Sequence, residues 1–287
     1  MSALARVTGA WCVVAAAGAC GVDELDVAYL HVRDVAVAPA ADAPDDGVVA
    51  LRIVRGPTSL GFYPVPADVP LLGTGAATVS VEAAVRRSGL SQELRVYPMY
   101  APAEAELVLG PGATDTLRPT FRYRDEVVVA LDEGFESPSD ALALDLRDAS
   151  PPIDRVTEGA SAGAASGRIR LTAEAPVFEV ASGVIVPARA PLLDLWVELD
   201  YRGDVPLAVA LLPAAVPPLA PGQSPAARYF QGALPREAWT RLYFDIVGGD
   251  DRDFLGAGFR VSLLAIHDPS RGETQDVLID NLRVVYR

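Results

Sequence analysis

Two stretches of this chain set aromatic rings among charged groups on one face of a strand. In DLWVELDYR (Asp194–Arg202), Leu195, Val197, Leu199 and Tyr201 fall on one side, and Asp194, Trp196, Glu198 and Asp200 on the other. Successive strand side chains point to opposite faces, so the alternation sorts them. In WTRLYFDI (Trp239–Ile246), Thr240, Leu242, Phe244 and Ile246 make the apolar face, alternating with Trp239, Arg241, Tyr243 and Asp245. A flat ring stacks on the apolar face of a pyranose, and neighbouring carboxylates and guanidinium groups accept from and donate to its hydroxyls. The candidate ligand-binding residues are therefore Trp196, Glu198, Asp200, Trp239, Arg241 and Tyr243. A plainer reading stands beside this one: a loop or a second unit covers the polar face, and the rings fill a second packed layer. Arg228, Tyr229 and Phe230 of ARYFQG would line the same groove or an interface.

Catalysis has no comparable signal. The two histidines, His31 and His267, are far apart and have neither HxH nor HExxH spacing. His267 sits in AIHDPSRG, where a strand gives way to a turn, and reads as a surface turn residue. No CxxC, P-loop or strand-borne GxGxxG occurs, and no motif selects a glycosidase pair among the 38 carboxylates. GGDDRD (Gly248–Asp253) lacks the full calcium-loop pattern and reads as a solvated turn. The expectation is a protein that is not an enzyme.

The elements that must carry these residues are strands. YLHVRDVAV, VVALRIV, ATVSVEAAV, AELVLG and TFRY are short alternating runs separated by proline and glycine clusters, the pattern of a small β-sandwich. In the third run Val79, Val81 and Ala83 point one way, and Thr78, Ser80 and Glu82 the other. No long stripe of period 3.6 appears, so almost no helix is expected. Further on come SGRIRLTA, PVFEVAS, LLDLWVELDYRG, PLAVALLP, WTRLYFDIVG and FRVSLLAIHD. With the flanking segments they make about eight strands, the number of a double-sheet jelly roll. Pro213–Pro225 is proline-rich and is expected as a long loop. The predicted fold is all-β: an immunoglobulin-like β-sandwich over 27–131 and a jelly-roll β-sandwich over 132–287. Arg124–Asp132 is itself a candidate strand, so the hinge is expected to be short.

The N-terminus carries an address. Arg6 precedes the apolar run Val7–Ala16, then the small residues Ala17, Gly18 and Ala19, then Cys20. The run is shorter than the roughly 20 residues that span a bilayer, so residues 1–19 read as a secretory signal. Cys20 behind small residues resembles a bacterial lipobox, with Ala17 where leucine is usual, and implies lipid attachment. An ordinary secretory signal would leave the same thiol unpaired, because Cys12, inside the signal, is the only other cysteine. Asp23, Glu24 and Asp26 make residues 20–26 an acidic segment. It resembles the surface-export signal of Bacteroidota lipoproteins and reads equally as a solvated tether. The chain has a formal net charge of −14, and all 24 of its basic residues are arginine. That balance argues against nucleic acid and against electrostatic docking on anionic lipid, leaving the anchor to make the membrane contact.

Spaced turns carry a wider resemblance. Pro66–Pro70 (PADVP), the glycine turn Gly73–Gly75, the strand Thr78–Val85 and Tyr97–Tyr100 (YPMY) follow one another. Together they resemble a group of Bacteroidota outer-membrane lipoproteins of unassigned function, in which Phe often stands at the Met99 position. LDEGFES and DVLIDNLRVVY resemble the first and last strands of jelly-roll modules, carbohydrate-binding and galactose-binding-like domains among them. That likeness implies that the two terminal strands pair. It also implies a structural calcium near them, held by Glu136 and Asp280, although both carboxylates read equally as acceptors for backbone amides. No other cofactor is implied. The function expected is a cell-surface or periplasmic lipoprotein, a scaffold or binding component of an outer-membrane assembly with protein partners there. The alternative is a glycan-binding lipoprotein using the aromatic face of the jelly roll.

Overall fold

The computed structural model describes residues 26–38, 47–139, 141–147, 149–187, 194–216, 220, 223, 228–246 and 257–287. Cys20 with the expected signal, most of the proline-rich loop and the 248–253 turn lie outside the described residues, as do the side chains of Arg228, Tyr229 and Phe230. The described residues are all-β and contain no α-helix.

The first strands are β1 (Val27–Val32), β2 (Ala36–Ala38), β3 (Ala50–Arg55), β4 (Thr58–Pro64) and β5 (Ala67–Leu72). They are followed by β6 (Gly75–Arg86), β7 (Leu94–Val96), β8 (Ala103–Leu109), β9 (Thr114–Leu117) and β10 (Thr120–Arg122). One sheet runs β4-β3-β6-β7, with β8 also on β6; opposite it stand β5-β1-β9 and the pair β10-β2. The first strands pair in parallel with the last, β1 with β9 and β2 with β10. The alternation expected in β6 holds: Val79, Val81 and Ala83 are buried, and Thr78 is exposed. Leu30, Val32, Leu51, Ile53 and Val69 meet them in the core.

β4 and β5 fall where proline and glycine suggested only connection. Both are edge strands, β4 beside β3 alone and β5 beside β1 alone. Pro70 lacks an amide hydrogen, and an edge is where a strand tolerates that. Gly56, at φ +55, turns the chain from β3 into β4, a conformation that costs a side-chain-free residue little.

The later strands are β11 (Val128–Glu133), β12 (Leu144–Asp145), β13 (Ile153–Val156), β14 (Ser166–Thr172), β15 (Val177–Ala181) and β16 (Leu195–Gly203). β17 (Leu207–Pro213), β18 (Arg228–Ala233), β19 (Arg236–Asp245), β20 (Phe259–Ile266) and β21 (Thr274–Tyr286) complete them. Two sheets, β13-β14-β21-β16-β19 with β11 on β21, and β12-β15-β20-β17-β18, enclose a jelly-roll core. The terminal strands pair as expected, Val128 opposite Tyr286 and Glu133 opposite Leu282. β11 begins before the expected division at 131–132, so its first residues already belong to this sheet. Leu195, Val197, Leu199 and Tyr201 point into the core together with Leu242, Phe244 and Ile246.

Candidate functional site

The other face of β16 and β19 holds the residues expected to meet a ligand, and most of it is covered. Trp196 is 2% exposed, Glu198 and Asp200 0%, Tyr243 3% and Arg241 6%. Trp196, Tyr243 and Val285 pack into the core of the first sandwich. Tyr97 and Tyr100 come from the turn after β7, and Tyr123 from the end of β10. The Tyr97 ring meets Tyr100, Trp196 and Tyr243 edge-on, at centroid distances of 4.6, 5.1 and 4.8 Å. This corrects the expectation of an open sugar platform at Trp196, Glu198, Asp200, Arg241 and Tyr243. The plainer reading holds for these five, which form a packed layer between the two sandwiches.

Charge is buried in that layer and is paired. Glu198 accepts hydrogen bonds from the hydroxyls of Tyr97 and Tyr123. Tyr100 and Tyr243 share a hydroxyl contact of 3.2 Å. Arg241 donates to both oxygens of Asp200, at 2.6 and 3.0 Å, and lies 3.9 Å from Glu198. Burial alone would lower the Arg241 pKa, but its hydrogen-bonded partner Asp200 reverses that and raises it. Asp200 also accepts from Ser161 Oγ and Asn281 Nδ2, at 2.9 and 2.8 Å. Tyr97 and Tyr123 are held far above the ordinary phenol pKa, first by burial and then by the Glu198 charge. Both hydroxyls therefore stay protonated and donate to Glu198.

Glu136 and Asp280 do not meet each other but grip one loop. Asp280 Oδ2 accepts from the amides of Ser161 and Ala162, at 3.1 and 3.2 Å. Glu136 Oε1 accepts from those of Ala164 and Ala165, at 2.9 and 3.4 Å. Calcium requires six to eight oxygen ligands. Here N–H donors occupy Glu136 Oε1 and both Asp280 oxygens, and no group of three or more acidic, His or Cys side chains gathers among the described residues. The residues do not fit calcium; amide donors take its place. His267 is likewise not a surface residue: it is buried, with Nε2 3.2 Å from the Gly272 carbonyl.

Trp239 differs from the other candidates. It lies at the far end of the same sheet face, half-buried, and its indole N–H donates to the Gly159 carbonyl at 2.8 Å. The Arg202 guanidinium stands over its ring, 5.3 Å from the centroid. Arg202 and Gly159 are also walls of an open cleft of about 620 Å³, with Arg155, Arg168, Glu158 and Asp276. A second cavity of about 420 Å³ opens at the edge of the jelly roll, over Phe135, Leu142, Ile153 and Val180, and Arg155 lines both. Phe135 holds φ +56, fixed by Glu133 accepting from its amide at 2.6 Å and Arg155 donating to its carbonyl at 2.8 Å.

Sequence reasoning missed the three interface tyrosines and the cleft arginines. YPMY was a visible signal, since two rings with polar tips in a turn need partners. For the arginines, the alternation of SGRIRL put Arg168 and Arg170 outside and Ile169 and Leu171 inside.

No protein-family model matches the chain, and no curated protein matches it. Among solved structures it is similar to the CBM22-1–GH10 modules of Clostridium thermocellum endo-1,4-beta-D-xylanase 10B complexed with xylohexaose. The identity is 10% and the TM-score 0.34, over 55% of this chain and 28% of that one. It is similar also to a structure described under carbohydrate-binding modules of the beta-sandwich super family, at 10% identity and TM-score 0.34, over 84% and 87% of the two chains. A third is the CBM22-1 xylan-binding domain of Paenibacillus barcinonensis Xyn10C, at 12% identity and TM-score 0.33, over 55% and 94%.

Proposed function

We propose that this protein is a non-enzymatic saccharide-binding module whose ligand lies on the uncovered end of the β13-β14-β21-β16-β19 sheet. The observation that carries the reading is Trp239: a half-buried ring held against Gly159 and Arg202, two residues that line an open cleft with both donor and acceptor walls. A ring locked in place loses little freedom when a sugar stacks on it. The guanidinium groups supply donors to hydroxyls, and Glu158 and Asp276 supply acceptors.

The test is a glycan array followed by calorimetry on the best binder. Trp239→Ala should weaken binding at least about tenfold, as loss of one good stacking contact implies. Trp196→Phe, at the covered end, should bind like the parent. A blank array overturns the reading and returns the expected scaffold role to first place; so does an unaffected Trp239→Ala.

We further propose that acylation of Cys20 holds this module at an outer-membrane surface. Cys20→Ala should then leave the membrane fraction for the soluble one, and unchanged fractionation would refute the anchor.

A further inference from the structure

The walls of the Trp239 cleft carry a charge opposite to that of the chain. The whole sequence has a formal net charge of −14, yet Arg155, Arg168 and Arg202 open on this one cleft. Its acids leave that excess standing. Asp276 is taken by Arg170, through contacts of 3.1 and 3.3 Å. Arg168 makes an ion pair with Asp154 at 3.8 Å, without hydrogen-bond contact. Its Nε is buried with no partner among the described residues. Arg202 stands over Trp239 and has no ion pair among the described residues. Arg155 is held by two backbone carbonyls, of Phe135 and Glu136, at 2.8 and 3.0 Å; this fixes its position and leaves its charge unneutralised. Glu158 is the one remaining acidic wall.

We infer that the saccharide taken by this cleft is acidic, a chain containing uronic acid whose carboxylates pair with Arg202 and Arg168 while a ring lies against Trp239. The inference rests on the saccharide-binding reading above and names the ligand class of that site. A planar guanidinium fork matches a planar carboxylate through two parallel hydrogen bonds, which a neutral hydroxymethyl group cannot reproduce. The composition strengthens the point: a strongly negative protein repels anions at long range, so three clustered cations on its surface serve a local purpose.

The experiment compares uronate-containing oligosaccharides with their carboxyl-reduced counterparts on one array, followed by calorimetry. The expected result is binding of the acidic forms at least about tenfold tighter than of the reduced ones, the size of one charge-assisted contact. Arg202→Gln and Arg168→Gln should each erase most of that preference, with circular dichroism and melting unchanged. Arg118→Gln, in the first sandwich and paired with exposed Asp34, should keep it. Equal binding of both forms, or preference for the reduced ones, overturns the acidic-ligand inference and leaves the saccharide reading standing. Binding of neither overturns the saccharide reading and this inference together.

Discussion

Tyr123 donates its hydroxyl to both carboxylate oxygens of Glu198, at 2.7 and 2.8 Å, across 75 residues of chain. The two residues belong to different sandwiches, and Glu198 is fully buried. A buried carboxylate without donors would be strongly unfavourable. Tyr97 and Tyr123 supply donors from one side, and Arg241 supplies charge from the other. The contact between the sandwiches is thus chemically specific as well as apolar.

Removing one of these donors should be felt. Tyr123→Phe or Tyr97→Phe should each cost about 1.5–3 kcal/mol of unfolding free energy, the range for hydrogen bonds to a charged group. Trp196→Ala should cost about 3–5 kcal/mol, because it leaves a cavity beneath Tyr97. Urea melts give both values. Tyrosine variants within about 0.5 kcal/mol of the parent would mean that the Glu198 network contributes nothing net.

Gly89 tests the seam sterically. A Cβ there would lie 2.5 Å from the Cβ of Ala233 and 2.6 Å from its Cα, so backbone would have to move. Gly89→Val should lower stability and expose the Tyr123–Val127 connection to proteolysis. Gly110→Ala, with no atom near its added Cβ, should do neither. Equal protease resistance in the two variants would show that the seam yields freely.

Asp280 gives a pH signature. Burial pushes its pKa up from 3.8 to about 6, and the neighbouring Asp200 charge adds to the rise. A carboxyl whose folded pKa is raised binds more protons folded than unfolded across that interval. Its stabilising contribution is therefore full below pH ~4 and lost as pH climbs through ~6. The carboxylates held low, Asp68, Asp145, Glu174 and Asp268, act with the opposite sign and below that interval. Stability should fall between pH ~4 and ~6, and Asp280→Asn should flatten the slope. An unchanged slope in the variant would rule out Asp280 as its source.

Calcium should be inert here. Amide N–H groups take up Glu136 Oε1 and both Asp280 oxygens, so adding calcium or a chelator should leave the melting temperature where it was. A rise of several degrees with calcium would show that the Ser161–Ala165 loop rearranges to bind it.

The strands that bear the expected site were legible, and what covers them was not. Alternation in DLWVELDYR separated Leu195, Val197, Leu199 and Tyr201 from Trp196, Glu198 and Asp200 correctly, because period two is a property of the strand itself. It is silent on which object lies against the second face. Here that object is Tyr97 and Tyr100, in a turn with no period to read, and Tyr123 at a strand end. Trp239 shared the pattern of Trp196 and escaped its fate only because the covering tyrosines stop short of it. β4 and β5 were hidden by Pro64, Pro66, Pro70 and Gly61, residues that an edge strand admits and a central one does not.

Gly47 and Gly89 let the leading half rest directly on Tyr243 and Ala233 of the trailing half, with no room for even a methyl group. Fit that close ties the fates of the two halves. A recombination event that exchanged either for a foreign counterpart would wedge the join apart and strand the Glu198 charge without its donors. The halves must therefore be inherited as a matched pair, each constraining how far the other can drift.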